Sequence, residues 1–171
     1  MKLFTLLLTL LIVLSGCSTK GAHAYKASLK PFKKPIKKEP LSYTLKNSNT
    51  ITLSLYAEYL KWRGTPYRLG GNSLSGVDCS SLVQSIYRDA FRVRVPRTTK
   101  QQAKAGYKID KNSLREGDLL LFQTGSNIRH SGIYLERGNF INASTKHGVT
   151  ISNINNPYWR SKYWQSRRVL P

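Results

Sequence analysis

Apolar positions along the chain change spacing three times. An apolar run occupies Leu3 to Leu14, and a polar, lysine-studded stretch follows to about residue 49. Residues 52–63, TLSLYAEYLKWR, then place Leu53, Tyr56, Ala57 and Leu60 at steps of three and four. That spacing predicts an amphipathic helix with those side chains inward, and Gly64 is its stop signal. After the turn-rich TPYRLGGNSLSG, residues Leu82, Val83, Ile86, Tyr87, Ala90 and Phe91 recur as i, i+1, i+4, i+5, i+8 and i+9. A second helix with one buried face is predicted there, with Asp78 as its candidate N-cap. Beyond Pro96 the runs shorten. Residues 118–122 (DLLLF), 131–135 (SGIYL), 139–143 (NFINA) and 149–152 read as strands, with a last short one at 168–170. Glu116-Gly117 and Arg137-Gly138 are the turns between them. Helices first and then a small antiparallel sheet predict an α+β domain in which a helix packs on one sheet face.

The ends of these patterns suggest three segments. The run from Leu3 to Leu14 is shorter than the roughly 20 residues a spanning helix needs. It follows one lysine and leads into small residues ending at Cys17, so residues 1–16 read as a secretory signal. Residues 17–50 carry clustered lysines with Pro31, Pro35 and Pro40, which favour extended, self-repelling chain, and read as a tether. Residues 51–171 are the expected folded domain. Leu14-Ser15-Gly16-Cys17 resembles a bacterial lipobox, and that resemblance implies a lipid on Cys17 as the first mature residue. Acyl chains contribute about 0.8 kcal/mol per buried methylene, enough in combination to hold a protein at a membrane. Ser18, where an Asp would retain an enterobacterial lipoprotein at the inner membrane, implies the outer membrane facing the periplasm.

Charge narrows the partners without naming one. Lys and Arg number 28 against 8 Asp and Glu, a net charge of +20, so polyanions or anionic surfaces attract the chain. Arginine interleaved with aromatics, as in Tyr158, Trp159, Arg160, Tyr163 and Trp164, is a pattern that can stack on bases. An export signal argues against nucleic acid, and a cell-wall polyanion fits it better. At 171 residues there is room for one domain and a tail, and a monomer is expected.

The chemistry concentrates on one thiol. There are two cysteines, and with Cys17 assigned to lipid no disulfide to Cys79 is expected. Cys79 falls in the first turn of the second helix, where it is either a buried small hydrophobe or a tuned nucleophile. Helix N-terminal N–H groups and partial positive charge favour a thiolate there and can hold an oxyanion, although the Asp78 carboxylate opposes the thiolate unless capping occupies it. Of three histidines, His23 lies in the tether, His130 opens a strand, and His147 lies in what reads as a hairpin loop. His130 is the preferred base. No paired-cysteine or histidine-rich spacing supplies four zinc ligands, so neither a metal nor a cofactor is expected.

Five motifs in order carry a resemblance. They are Pro66–Gly71 (PYRLGG), Gly76–Ser81 (GVDCSS), Val95–Thr99 (VPRTT), Arg115–Leu120 (REGDLL) and His130–Tyr134 (HSGIY). Together they resemble the NlpC-type cell-wall cysteine peptidases, in particular the small lipoprotein murein endopeptidases of enterobacteria. The resemblance implies a papain-like fold, a Cys79 nucleophile, a His130 general base, and Tyr67 close to the thiol. The family's third polar position, within a Phe-X-His-Ala-Ser type motif, is here Asn142 of Phe140–Ser144. Asn142 is expected to orient His130, with His147 as its rival. Arg97 is a candidate for a substrate carboxylate. The implied reaction is hydrolysis of amide bonds in peptidoglycan stem peptides, with a D,D cross-link as the first choice. The D-Glu to diaminopimelate bond is the alternative, and a non-catalytic wall-binding lipoprotein is the rival class.

Overall fold

A computed structural model describes residues 50–171. The signal segment, the lipobox Cys17, His23 and the tether through residue 49 lie outside the described residues.

Helix α1 (Thr50–Trp62) forms where periodicity predicts it, but it is rotated about its axis. Thr52, Leu55, Glu58 and Trp62 are buried, whereas Ala57 is exposed and Leu60 is 67 % exposed. Two apolar stripes compete on this helix, and the one holding Leu55 and the indole of Trp62 enters the core. Its cost is a buried carboxylate, Glu58, which accepts a hydrogen bond from Lys61 one turn on. Gly64, at φ +81°, ends the helix, and the segment then bonds to a distant strand through Gly64 N to Val149 O and Val149 N to Thr65 O.

A two-residue hairpin, β1 (Asn72–Ser73) with β2 (Gly76–Val77), leads into helix α2 (Cys79–Phe91). Asp78 caps α2 by accepting the Ser81 N–H at 2.8 Å. The predicted face is the buried one: Leu82, Val83, Ile86 and Tyr87 are almost inaccessible to solvent. Each such side chain contributes roughly 1.5–3 kcal/mol by leaving water. The Tyr87 hydroxyl donates to Gly117 O, tying the far end of α2 to the turn before the sheet. Arg92 ends the helix in the left-handed region, φ +59°.

A four-residue helix α3 (Thr99–Gln102) and strand β3 (Tyr107–Ile109) come next, followed by β4 (Leu119–Gln123), β5 (Arg129–Tyr134), β6 (Asn139–Ser144) and β7 (Gly148–Asn153). A short helix α4 (Pro157–Lys162) then precedes β8 (Tyr163–Arg168). The last strand thus begins five residues before the predicted 168–170, because β8 returns between β3 and β4 and pairs with both. The six strands run antiparallel in the order β3-β8-β4-β5-β6-β7. α2 packs on β5 and β6, and α1 packs on α2. The architecture is the expected α+β fold.

One feature departs from the sequence expectation of a sheet covered on one side. Leu119 and Leu121 join the helix-side core, whereas Leu120 and Phe122 join a second cluster with Phe140, Ile154 and the ring of Trp159. A strand apolar at every position is buried on both faces, and the uninterrupted DLLLF run is the signature of that. Trp159 of α4 supplies the second cover. Its ring lies 4.8 Å from Phe122 and 5.2 Å from Phe140 between centroids.

Candidate active site

Three elements bring the chemistry together. The start of α2 carries Cys79, the start of β5 carries His130, and β6 carries Asn142. All three side chains are buried: Cys79 is 6 % exposed, His130 8 % and Asn142 0 %.

Asn142 has its amide fixed by its surroundings. Its Nδ2 donates to Ser152 Oγ at 2.8 Å and to Thr150 O at 3.4 Å. A backbone carbonyl only accepts, so the NH2 group must face Thr150 and the carbonyl Oδ1 must face His130. Oδ1 lies 3.3 Å from His130 Nε2. An amide oxygen cannot donate, so Nε2 carries the proton and Nδ1 is the nitrogen left for acid–base work. The imidazole is backed by Trp159, whose ring centroid is 5.2 Å away at 32°.

The Cys79 thiol feels two opposing influences. Burial pushes it up, but a hydrogen bond and charge from His130, the Ser131 N–H and the Thr99 hydroxyl outweigh burial and bring it down to about 7. Thr99 Oγ1 is 3.8 Å from the sulfur. A thiol with this value is substantially ionised at neutral pH, which is the condition for a nucleophile.

Asp78, the carboxylate nearest the thiol along the chain, is fully occupied. Oδ1 accepts from Ser81 N at 2.8 Å and Ser80 Oγ at 3.0 Å, and Oδ2 accepts from Gly70 N at 3.0 Å. The Arg97 guanidinium spans both oxygens at 3.0 and 2.7 Å and also donates to Ser80 Oγ at 3.0 Å. Burial raises this carboxyl, yet Arg97, the Ser81 N–H and the Ser80 hydroxyl together hold it below the ordinary carboxylate range. Its charge is thereby neutralised beside the thiol. Arg97 was expected to meet a substrate carboxylate, and here its fork is filled by Asp78. The physical reason is bidentate geometry, which pairs guanidinium and carboxylate more strongly than a single contact does.

Tyr67 lies close enough to feel the charges of Cys79 and Asp78. Burial, then Cys79, then Asp78 raise its hydroxyl, so it stays protonated and able to donate. His147 is exposed in the β6–β7 turn, where its backbone N–H bonds Ser144 Oγ at 3.2 Å. Its ring makes no hydrogen bond to His130 among the described residues, so the structure brings Asn142, and not His147, to the imidazole. The sequence pointed to no role at the thiol for Thr99 or the Ser131 N–H, and it placed Trp159 in a binding pattern rather than against His130. Thr99 stood in the VPRTT motif. The Ser131 N–H at the thiol and the position of the Trp159 ring behind His130 follow from tertiary placement, which no sequence signal marked.

A helix-borne cysteine, a strand-borne histidine and a buried amide on the next strand form the arrangement that thiol-dependent acyl transfer needs. Residues 64–168 match the NlpC/P60 family. The chain belongs to this family. Over 113 residues it is 46 % identical to "Murein DD-endopeptidase MepS/Murein LD-carboxypeptidase" of Escherichia coli K12, covering 66 % of this chain and 60 % of that protein. Over 168 residues it is 41 % identical to "Probable endopeptidase NlpC" of the same strain, covering 97 % and 99 % of the two chains. Among solved structures it is similar to an NlpC/P60 family protein from Bacillus cereus, with a TM-score of 0.64 and 31 % identity. That match covers 70 % of this chain and 40 % of that one.

Proposed function

We propose that the protein is a murein hydrolase, a thiol peptidase that cuts amide bonds of peptidoglycan stem peptides or their cross-links. The observation that carries this reading is the buried Cys79 at the helix start, its thiol lowered by His130, whose Nε2 is held by Asn142. The names of the relatives, murein endopeptidase among them, support the substrate class.

In the proposed reaction the Cys79 thiolate attacks the amide carbonyl carbon. The carbonyl oxygen becomes an oxyanion, held by the Cys79 N–H at the helix start and by the protonated Tyr67 hydroxyl. Imidazolium His130 gives its proton to the leaving nitrogen, the C–N bond breaks, and an amine departs. Neutral His130 then takes a proton from water as it attacks the thioester, which releases the acid and restores the thiolate. Asn142 keeps the imidazole in one tautomer throughout. A D,D cross-link is the bond we assign first. The strongly basic chain suits a wall rich in carboxylates. We further propose lipid attachment at Cys17 and residence at the outer membrane facing the periplasm, on the strength of the lipobox pattern.

Incubating the purified protein with sacculi and identifying the products by mass spectrometry tests the activity and the bond together. Cleaved stem peptides are expected with wild type and not with Cys79→Ala. Equal digestion by both would overturn the thiol mechanism, and wall binding without cleavage by either would make the protein a binding module.

A further inference from the structure

A second feature has His130 in its wall. A pocket of about 310 Å³ is lined by His130, Lys146, His147, Tyr158, Trp159 and their neighbours. Besides His130, its lining includes the basic side chains of Lys146 and His147, and none of its lining residues is acidic. Lys146 Nζ and the His147 ring have no hydrogen-bonding or ionic partner among the described residues, in contrast to Arg97, Arg167 and Arg168, whose guanidinium groups are all engaged. The turn that presents them is tightly built. Ser144 Oγ accepts from both Lys146 N and His147 N at 3.2 Å. Gly148 closes the turn at φ +66°, where a Cβ would lie 2.4 Å from Thr65 O, so only glycine fits. Aromatic rings share the lining: Trp159 lies against His130, and Tyr158 is edge-on to Trp159 at 5.0 Å.

The chemistry assigns this pocket a side of the substrate. Whatever group protonates the leaving amine must touch it, so the amine-bearing half of the substrate leaves past the His130 imidazole. We infer that this pocket is the subsite for that half, and that Lys146, assisted by His147, recognises a free carboxylate on the carbon bearing the scissile nitrogen. Tyr158 and Trp159 pack against that residue's aliphatic part. The inference rests on the thiol-peptidase reading and adds a specificity rule to it. Bonds whose leaving residue ends in a free carboxylate are preferred over internal bonds, where that carboxyl is already an amide. Within the wall this favours a cross-link to the free D-centre of a diamino diacid over a bond in the middle of a stem.

The test uses the full-length protein and two peptides that differ only in a carboxylate or carboxamide on the amine-side residue. Wild type is expected to favour the carboxylate by at least tenfold in kcat/KM. Lys146→Gln is expected to bring the ratio close to one by raising KM for the carboxylate peptide, and Lys146→Arg to restore most of it. A ratio near one in wild type, or one that Lys146→Gln leaves intact, would overturn the inference. A second readout does not depend on turnover. In Cys79→Ala protein, tryptophan fluorescence is titrated with the amine-side fragment as its acid and as its amide. Tighter binding of the acid, lost in the Cys79→Ala, Lys146→Gln double variant, supports the subsite even if wild type cleaves neither peptide. In that case the peptidase reading alone fails, whereas equal binding of acid and amide sinks the subsite alone.

Discussion

Replacing Arg97 by methionine keeps most of the aliphatic stem and removes the guanidinium from Asp78. The carboxylate then keeps Ser81 N, Ser80 Oγ and Gly70 N but loses the guanidinium charge that spans both its oxygens. Breaking a fully buried pair by removing one partner costs about 3–5 kcal/mol. Arg97 is 38 % exposed at its side chain while Asp78 is only 7 %, so water screens part of the loss and roughly 2 kcal/mol is expected. For a domain of this size that is about 8 °C in Tm. The contribution has a definite pH window. Asp78 titrates below its unfolded value, so the pair's stabilisation is complete above about pH 4 and disappears as the pH falls through the folded value. The same change leaves an uncompensated carboxylate next to Cys79. The thiol value, about 7 in the native protein, should then rise, because a neighbouring negative charge disfavours the thiolate. The rate of iodoacetamide alkylation against pH reads this directly. Its midpoint is expected near 7 in wild type, higher in Arg97→Met, and close to wild type again in an Arg97→Met, Asp78→Asn double variant, where the offending charge is gone. An unchanged alkylation midpoint and Tm in Arg97→Met, together with a raised KM for peptide, would refute this reasoning and return Arg97 to a substrate carboxylate.

Three further outcomes are expected. Asn142→Ala frees the imidazole and leaves Thr150 O and Ser152 Oγ without their donor, so kcat should fall by about 10²–10³, a typical share for general acid–base catalysis. His147→Ala should cost much less and act through KM, and the reverse ranking would move the orienting role into the turn. Gly132→Ala puts a Cβ 2.7 Å from both Ile141 O and a carbon of the Phe140 ring. Strands β5 and β6 must part to admit it, so denaturant melts should show a loss of about 1–3 kcal/mol, accompanied by loss of activity. Radiolabelled palmitate should enter the protein at Cys17, and uptake by Cys17→Ser would rule out the lipid assignment.

The amino-acid order determined what depends on near neighbours. Asp78 before Cys79, and the stripe from Leu82 to Tyr87, dictate a capped helix with the thiol in its first turn, because both signals act within one or two helical turns. Strands β4 to β7 were legible within a residue or two for the same reason, as was the hairpin turn that holds His147. The rotation of α1 was not, since Leu53 and Leu60 make as regular a stripe as Leu55 and Trp62 and only the opposing core chooses between them. The fate of Arg97 was hidden too, because nineteen residues separate it from Asp78 and a charged side chain carries no mark of which partner will reach it. β8 and α4 escaped clean prediction because their polar, aromatic sequence acquires its burial from β4 and from the second face of the sheet. Tertiary structure alone decided that the sheet is covered on both sides, that Trp159 backs His130, and that the Asn142 amide points its oxygen at the imidazole. Those are orientations between elements distant in sequence, set by packing and by which hydrogen bonds remain to be satisfied once the strands have paired.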